Sequence, residues 1–211
     1  FYVSLQKLKN YTYYSQNFDI PFEQEDNNEE EVLLYPQQLL TFVNQADEII
    51  DYFKVRYDSS FKYRKFDLSN TITEIIDHYI DSNEYPEVKL NCDIQKNLVL
   101  LGLPERIGQV VVNLLDNAIS FSRPKGRINV QLHKKWRRKP LLVVEDSGPG
   151  VSEAGAERIF DRFYTSRSGA SAIDSASGLG LFICRHIVEA HGGTITVGKS
   201  ALGGARFEVN F

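Results

Sequence analysis

The first hundred residues of this chain contain no glycine. All 14 glycines lie at or after Gly102, whereas ten of the 11 tyrosines precede it. A stretch without glycine favours helices, while a glycine-rich stretch indicates tight turns and close backbone approaches. Charge is divided in the same way: residues 1–100 carry 9 basic and 18 acidic side chains, and residues 101–211 carry 15 and 10. We therefore interpret the 211 residues as two pieces of different architecture, one sizeable domain and a smaller element.

Four further absences narrow the class of protein. The net charge of −4 gives no dominant basic face, so no nucleic acid is expected as a partner, and the positive second half suits a local polyphosphate site. The two cysteines, Cys92 and Cys184, lack a metal-binding spacing, which favours a reduced setting. No apolar run approaches the ~18 residues that span a bilayer, and no signal peptide is visible. We expect a cytoplasmic domain, cut at Phe1 from a longer parent that can be membrane-anchored.

The first piece has the pattern of two helices joined by a polar loop. Residues 1–18 and 37–57 space apolar side chains as helices do, and residues 19–31 hold Pro21 and an acidic run. We predict a helical hairpin over residues 1–62. Because one hairpin buries too little surface, we expect two copies to pair into a four-helix bundle, which makes the protein a homodimer.

The second piece, residues 66–211, alternates helical and strand patterns. Helices are predicted from Ser69 or Asn70 to Ile80, over residues 105–121, and from Ser177 or Gly178 to the glycine pair at 192–193. Strands are predicted at residues 88–92, 98–100, 127–132, 141–145, 194–197 and 205–209. This order predicts an α+β fold, a two-layer α/β sandwich with helices on one face of one sheet.

Four short motifs follow one another within this second piece. They are Asn113-Leu-Leu-Asp-Asn117-Ala118, Asp146-Ser-Gly148-Pro-Gly150, Ile159-Phe160-Asp-Arg162-Phe163-Tyr164 and Ser177-Gly178-Leu179-Gly180-Leu181. Asn113 and Asn117 share a helix face, where amide oxygens can ligate Mg²⁺ while the ion bridges phosphates. The alternative is two solvent-facing asparagines.

The second motif places Asp146 at the end of an apolar strand. A buried carboxylate there can accept a hydrogen bond from the exocyclic amine of adenine and so select it over guanine. Gly148 and Gly150 would leave space for the base or ribose. An ordinary turn is the alternative.

The last two motifs bracket a candidate lid, residues 151–177, whose stretch 168–177 is small and polar. Phe160 and Phe163 would anchor this lid on the core. Arg162 and Arg167 could reach the β- and γ-phosphates, with surface positions as the alternative. Free N–H groups at the helix start formed by Gly178, Leu179 and Gly180 suit phosphate oxygens, with a plain helix start as the alternative.

In this order, the motifs resemble the N, G1, F and G2 boxes of the catalytic ATP-binding domain of sensor histidine kinases, in the gyrase/Hsp90/histidine-kinase/MutL ATPase superfamily. The resemblance implies a Bergerat-type ATP-binding fold, ATP as nucleotide and Mg²⁺ as metal. It implies Asn117 as the principal Mg²⁺ ligand, Asn113 as a second metal or phosphate contact, and Tyr164 in the nucleotide-binding set. Asn113, Asn117 and Arg162 become the catalytic set. Ser120 stands where the family often has a phosphate-contacting Lys.

Such kinases need a phosphoacceptor histidine on the first helix of the hairpin. None of the four histidines has the expected flanking sequence, and the nearest match, Gln6-Lys-Leu-Lys-Asn-Tyr11, places Gln6 at the acceptor position. A glutamine amide is not nucleophilic enough to accept a phosphoryl group. We expect a kinase core that passes phosphate to the Asp of a response-regulator receiver domain. A non-phosphorylating ATP-binding signalling module and an anti-sigma-type protein Ser kinase are the alternatives.

Overall fold

The computed structural model describes residues 62–82, 87–122, 125–135, 139–164 and 178–211. The predicted hairpin, including Gln6, therefore lies outside the described residues except for its last position. Arg167 and the stretch 168–177 of the candidate lid lie outside them as well. The domain boundary drawn from the sequence stays a prediction.

The described residues form seven strands and four helices. They are β1 (Arg64–Asp67), α1 (Leu68–Ser82), β2 (Lys89–Ile94), β3 (Val99–Gly102), α2 (Pro104–Phe121), β4 (Arg127–Lys134), β5 (Pro140–Asp146), α3 (Glu153–Arg158), α4 (Gly180–Ala190), β6 (Thr194–Lys199) and β7 (Ala205–Asn210). None of these helices is both long enough and apolar enough to cross a bilayer.

Five strands make the main sheet in the order β2-β4-β5-β7-β6. The β2–β4 pair is parallel and the other pairs are antiparallel. Alternate residues of β4 are buried, and of these Ile128 lies opposite Asp146 of β5. Because side chains alternate between the two faces of a sheet, Asp146 lies on the same apolar, helix-covered face as Ile128. The predicted α+β sandwich is confirmed.

The prediction of a single sheet is wrong, because β3 pairs antiparallel with β1 in a separate two-stranded ribbon. The predicted start of α1 is also wrong. The Asp67 carboxylate accepts the Asn70 N–H at 3.1 Å, so Asp67 caps the helix. Ser69 is buried instead, where its hydroxyl donates to the Gln95 carbonyl at 2.7 Å and accepts the Leu98 N–H at 2.9 Å. A tertiary contact therefore decides the role of this serine.

Helices α2 and α4 cover the sheet and hold the pocket residues in place. Pro104 opens α2, where its missing N–H costs nothing. The core side of α2 is a continuous buried stripe: Ile107, Val110, Val111, Leu114, Leu115 and Ala118. Each large member stabilises the fold by about 1.5–3 kcal/mol, and Leu114→Ala would cost about 2–5 kcal/mol. This stripe fixes the rotation of α2 and hence the direction of its two asparagines.

Candidate functional site

Asp146 is a buried carboxylate at the centre of the site. It ends β5, is 3% exposed, and its Oδ1 accepts the backbone N–H groups of Gly148 at 2.8 Å and Ala205 at 3.1 Å. Burial raises the pKa of the Asp146 carboxyl, and the two N–H donors oppose that rise in part. No cation within the described residues pairs with this carboxylate. It therefore keeps an acceptor for a ligand that brings a donor.

Two glycines make room for this carboxylate. A Cβ at Gly204 would overlap Asp146 Oδ1, and the Gly204 N–H donates to the Asp146 carbonyl at 3.1 Å. A Cβ at Gly148 would lie 2.5 Å from the carbonyl oxygen of Phe121. Packing against the backbone of Phe121 therefore requires a glycine at position 148, and space for a base or ribose at this residue stays a prediction. Gly150, with φ of +76°, adopts a left-handed conformation that favours glycine.

An open pocket lies beside Asp146, between the C-terminal half of α2 and the segment that follows β5. Its lining is Asn117, Phe121, Asp146, Pro149, Gly150, Val151, Ile159, Leu181, Ala205 and Phe207. Most of these walls are apolar, and the Asn117 amide and the Asp146 carboxylate are the polar side chains among them. Apolar walls with one buried acceptor suit a flat, ring-shaped ligand that carries an N–H donor.

The two asparagines take different positions along α2. Asn117 lines the pocket, whereas Asn113, one turn earlier, donates from Nδ2 to the Gly180 carbonyl at 3.2 Å. With its nitrogen committed, Asn113 keeps its side-chain oxygen as an acceptor. Amide oxygens are among the ligands that Mg²⁺ accepts, so both residues fit such an ion.

Of the two phenylalanines predicted to anchor the candidate lid, Phe160 and Phe163, only one is buried in the core. Phe160 is 3% exposed and joins the core, as predicted, whereas Phe163 is 58% exposed, so the prediction that its side chain anchors the lid on the core is wrong. Instead the Phe163 N–H donates to the Gly178 carbonyl at 3.1 Å. Gly178 has φ of +67°, and a Cβ there would lie 2.9 Å from the Phe163 Cα. This contact joins residues that lie on either side of segment 165–177 in the sequence.

Two arginines of this region lie over aromatic rings. The Arg162 guanidinium carbon is 4.7 Å from the ring centre of Phe182, in the first turn of α4, and that of Arg158 is 5.0 Å from the ring centre of Tyr164. Leu179, buried at 2% exposure, precedes α4. Arg162 thus lies beside the helix end whose first N–H groups lack partners within the helix. That end suits an anion.

Several pocket residues were not predicted from the sequence. Phe121, Ile159, Leu181 and Phe207 line the pocket but read as ordinary core positions. The glycine pair at 203–204, immediately before the last strand, was the available signal for the contact with Asp146. Its meaning depends on β7 lying beside β5, which the sequence alone does not specify.

Comparison with known proteins identifies the family. The family described as "Histidine kinase-, DNA gyrase B-, and HSP90-like ATPase" matches residues 102–211, more than half of the chain. The chain belongs to this ATPase family. The pocket lined by Asn117 and Asp146 lies within the matched residues.

Curated relatives of this ATPase domain are named as sensor proteins. Sensor protein ChvG of Agrobacterium fabrum is 43% identical over 120 residues, which cover 54% of this chain and 20% of that protein. Sensor protein KdpD of Clostridium acetobutylicum is 34% identical over 157 residues, covering 69% of this chain and 17% of that protein. The chain therefore spans only 20% and 17% of the length of these relatives.

Solved structures agree on the fold. The nucleotide-free catalytic domain of histidine kinase ThkA matches with a TM-score of 0.62 at 27% identity, covering 72% of this chain and 95% of that one. The mycobacterial sensor histidine kinase MprB gives 0.61 at 25% identity, covering 71% and 96%. Full-length ShkA in complex with AMPPNP gives 0.71 at 19% identity, over 99% of this chain and 42% of that one, which supports the fold alone. The described residues are a catalytic ATP-binding domain of the histidine-kinase type.

Proposed function

We propose that this chain is the ATP-binding kinase core of a two-component sensor histidine kinase. The observation that carries the proposal is the Asp146 carboxylate: it is 3% exposed, fixed by two backbone N–H groups, unpaired with any described cation, and set in an apolar pocket beside Asn117. The exocyclic amine of adenine supplies the donor that this acceptor lacks. A base with a carbonyl at that position would leave both acceptors unpaired, at a cost of about 1–3 kcal/mol.

The metal would be held by the α2 asparagines. Asn117 would be the principal ligand and Asn113 a second metal or phosphate contact, because the nitrogen of Asn113 is committed to Gly180 and its oxygen is not. When bound, Mg²⁺ would neutralise charge on the phosphates and help to align the γ-phosphoryl group.

The triphosphate would extend from the base pocket towards the first turn of α4. The N–H groups that follow Leu179, together with Gly178 and Gly180, would bind phosphate oxygens, and Arg162 lies beside that turn over Phe182. Arg167 would add a second cation from the lid. Phosphoryl transfer would rest on positioning and charge neutralisation rather than on a covalent intermediate with this domain.

The acceptor would be a histidine at the position of Gln6, or a histidine of a partner protomer. A homodimer formed through the predicted hairpin would present it, and a receiver-domain Asp of a response regulator would take the phosphate onward. The curated relatives are named as sensor proteins. By analogy, we propose a cytoplasmic core whose parent can be anchored in the cell membrane.

Gln6 itself favours a second candidate, a signalling module that binds ATP and controls a partner by conformation without phosphorylation. An amide at the acceptor position leaves nothing to receive the γ-phosphoryl group. Both candidates require the same ATP pocket, and they differ in whether any residue becomes phosphorylated.

Calorimetric titration with ATP and with GTP, each with Mg²⁺, tests the pocket. We expect the chain to bind ATP more tightly, because only adenine offers a donor to Asp146. Equal affinity for the two nucleotides would contradict the role assigned to Asp146, and no binding of either would contradict the ATP-binding assignment as a whole.

Restoring the imidazole distinguishes the two candidates. The unmodified chain should bind ATP but not autophosphorylate, and Gln6→His should produce an acid-labile, base-stable phosphoryl group at that residue. Gln16→His, within the same predicted helix, is the matched control and should stay unlabelled. Mass spectrometry at neutral pH locates the label. A phosphohistidine at His78, His133, His186 or His191 in the unmodified chain would place the acceptor elsewhere, and an unlabelled Gln6→His chain would favour the non-phosphorylating module.

Hydrogen exchange tests the lid. The hydrogen bond between Phe163 and Gly178 joins residues on either side of segment 165–177. Nucleotide that contacts Arg162 and Arg167 should therefore slow hydrogen exchange in the residues between Phe163 and Gly178. Measurement with and without a non-hydrolysable ATP analogue reports this, and unchanged protection across residues 160–177 would argue against a gating role.

A further inference from the structure

We propose that Glu145 is a positioning residue for adenine recognition: its ion pair with Arg206 sets where β7 begins, and so aims the Ala205 N–H at Asp146. The inference rests on the proposed function of the Asp146 pocket. Glu145 touches neither nucleotide nor metal in this scheme, and it acts from the opposite face of the sheet.

Glu145 is a buried charge away from the pocket. It is 5% exposed, and because neighbouring residues of a strand point to opposite faces, it lies on the other side of the sheet from Asp146. Its Oε1 is 3.0 Å from Arg206 Nη1. The oxygen makes no well-aligned hydrogen bond within the described residues, so the contact is an ion pair. A buried carboxylate next to a cation costs much less than an isolated one.

The ion pair occupies the end of the β5–β7 ladder. Glu145 is the last residue of β5 that pairs with β7, and its partner Arg206 is the first residue of β7 that pairs with β5. Immediately beyond them, the Ala205 N–H donates to Asp146 Oδ1 and the Gly204 N–H donates to the Asp146 carbonyl. The ion pair therefore lies one residue along each strand from the hydrogen bond between the Ala205 N–H and the Asp146 carboxylate.

Arg206 has a second partner that does not tie the two strands together. Its Nε donates to Glu208 Oε1 at 2.8 Å, and Glu208 lies on the same strand, β7. Glu208 therefore orients the guanidinium within β7, whereas Glu145 connects it to β5. The two carboxylates have equal charge and share one arginine, but only Glu145 connects β5 to β7 next to Asp146. This difference makes Glu208 a matched control.

The experiment compares ATP with purine riboside triphosphate, which lacks the exocyclic amine, each with Mg²⁺ in calorimetric titration. In Glu145→Gln, the ratio of the two affinities should fall about five-fold, as expected for one misaligned hydrogen bond. Glu208→Gln should keep the wild-type ratio, and Glu145→Asp, which retains the charge, should recover most of it. A purely structural role would weaken both nucleotides equally and leave the ratio unchanged.

Each result decides one question. An unchanged ratio in Glu145→Gln, or an equal fall in Glu208→Gln, overturns the positioning role. If Glu145→Gln does not fold, as judged by circular dichroism, Arg206→Lys replaces it: this change keeps the charge on β7 but loses the guanidinium fork, and it should lower the same ratio less. A wild-type chain that binds both nucleotides equally would instead overturn the role of Asp146, and one that binds neither would overturn the proposed function.

Discussion

Two buried polar groups of this domain differ in how fully their hydrogen-bonding capacity is used. At the pocket, the buried Asp146 carboxylate is paired with no cation among the residues that the structure describes. At the end of α4, His191 uses both ring nitrogens: Nε2 accepts the Leu103 N–H at 3.0 Å, and Nδ1 lies 2.7 Å from the Ile187 carbonyl. These contacts assign the proton to Nδ1. The first site retains capacity for a ligand, and the second is complete without one.

The His191 cluster also joins three separate parts of the chain. Tyr63, which precedes β1, donates to the Ala190 carbonyl at 2.8 Å, and its ring lies 5.0 Å from the His191 ring. Leu103 precedes α2, and a Cβ at Gly102 would lie 2.5 Å from the His191 ring. The comparison teaches that polarity and burial alone do not mark a binding site. What distinguishes the pocket is the unmatched hydrogen-bonding capacity of Asp146.

The largest effect on stability should come from removing the His191 side chain. His191→Ala removes the partner of the Leu103 N–H and of the Ile187 carbonyl and leaves a cavity, so we expect a loss of about 3 kcal/mol in the free energy of unfolding. His186→Ala is the control on the same helix, because His186 contacts its own-helix carbonyl of Phe182 at 2.8 Å. Urea denaturation measures the free energy of unfolding of both variants. Equal losses would show that the contacts of His191 stabilise the domain no more than those of His186.

The next largest effect should be found at the pocket and should be on binding. Asp146→Asn keeps an oxygen for Gly148 and Ala205 but removes the charge and adds a competing donor, so ATP affinity should fall about 30-fold. Stability without nucleotide should not fall, because an uncompensated buried charge has been removed. Titration and urea denaturation of the same variant check both halves. A destabilised variant that still binds ATP normally would show that Asp146 acts in folding rather than in binding.

These two sites also show how far the sequence predicts the molecule. Residues 105–121 were predicted as a helix and form α2, Pro104–Phe121, because local apolar spacing and a terminal proline specify it. The four motifs led to Asn117 and Asp146 for the same local reasons. The roles of Asp67, Ser69 and Gly148 were missed because each depends on a partner distant in the sequence or on exact cap geometry. Strand order, which brings Gly204 to Asp146, is a property of the whole fold.

A smaller effect should separate the two asparagines of α2. Asn117→Ala should lower ATP affinity about ten-fold with Mg²⁺ present and much less with EDTA, because a metal ligand acts only through the metal. Asn113→Ala should show a weaker metal dependence, since its amide also binds the Gly180 carbonyl. Titrations of both variants with and without EDTA give the four affinities. An equal loss for Asn117→Ala in both conditions means that Asn117 is not a metal ligand.

The smallest effect is the response of stability to pH at the completed cluster. Burial lowers the pKa of His191 from its ordinary value of 6.5, although the Ile187 carbonyl opposes this in part. The unfolded chain therefore takes up a proton at a higher pH than the folded chain does, so acidification below about pH 6.5 favours unfolding. The raised pKa of Asp146 acts with the opposite sign, since its contribution is lost as pH rises above the ordinary value of 3.8.

Comparison with a non-titrating variant isolates this histidine. Urea denaturation of the wild-type chain and of His191→Gln at pH values from about 7 to about 5 shares every other titrating group, so the difference between the two curves reports position 191. We expect the wild type to lose stability relative to the variant as pH falls. The difference should stop growing below the folded-state pKa, where both states of the wild type are protonated. Parallel curves would show that Leu103 and Ile187 do not hold the His191 nitrogens in solution. The claim that His191 is fully hydrogen-bonded, in contrast to Asp146, would then be wrong.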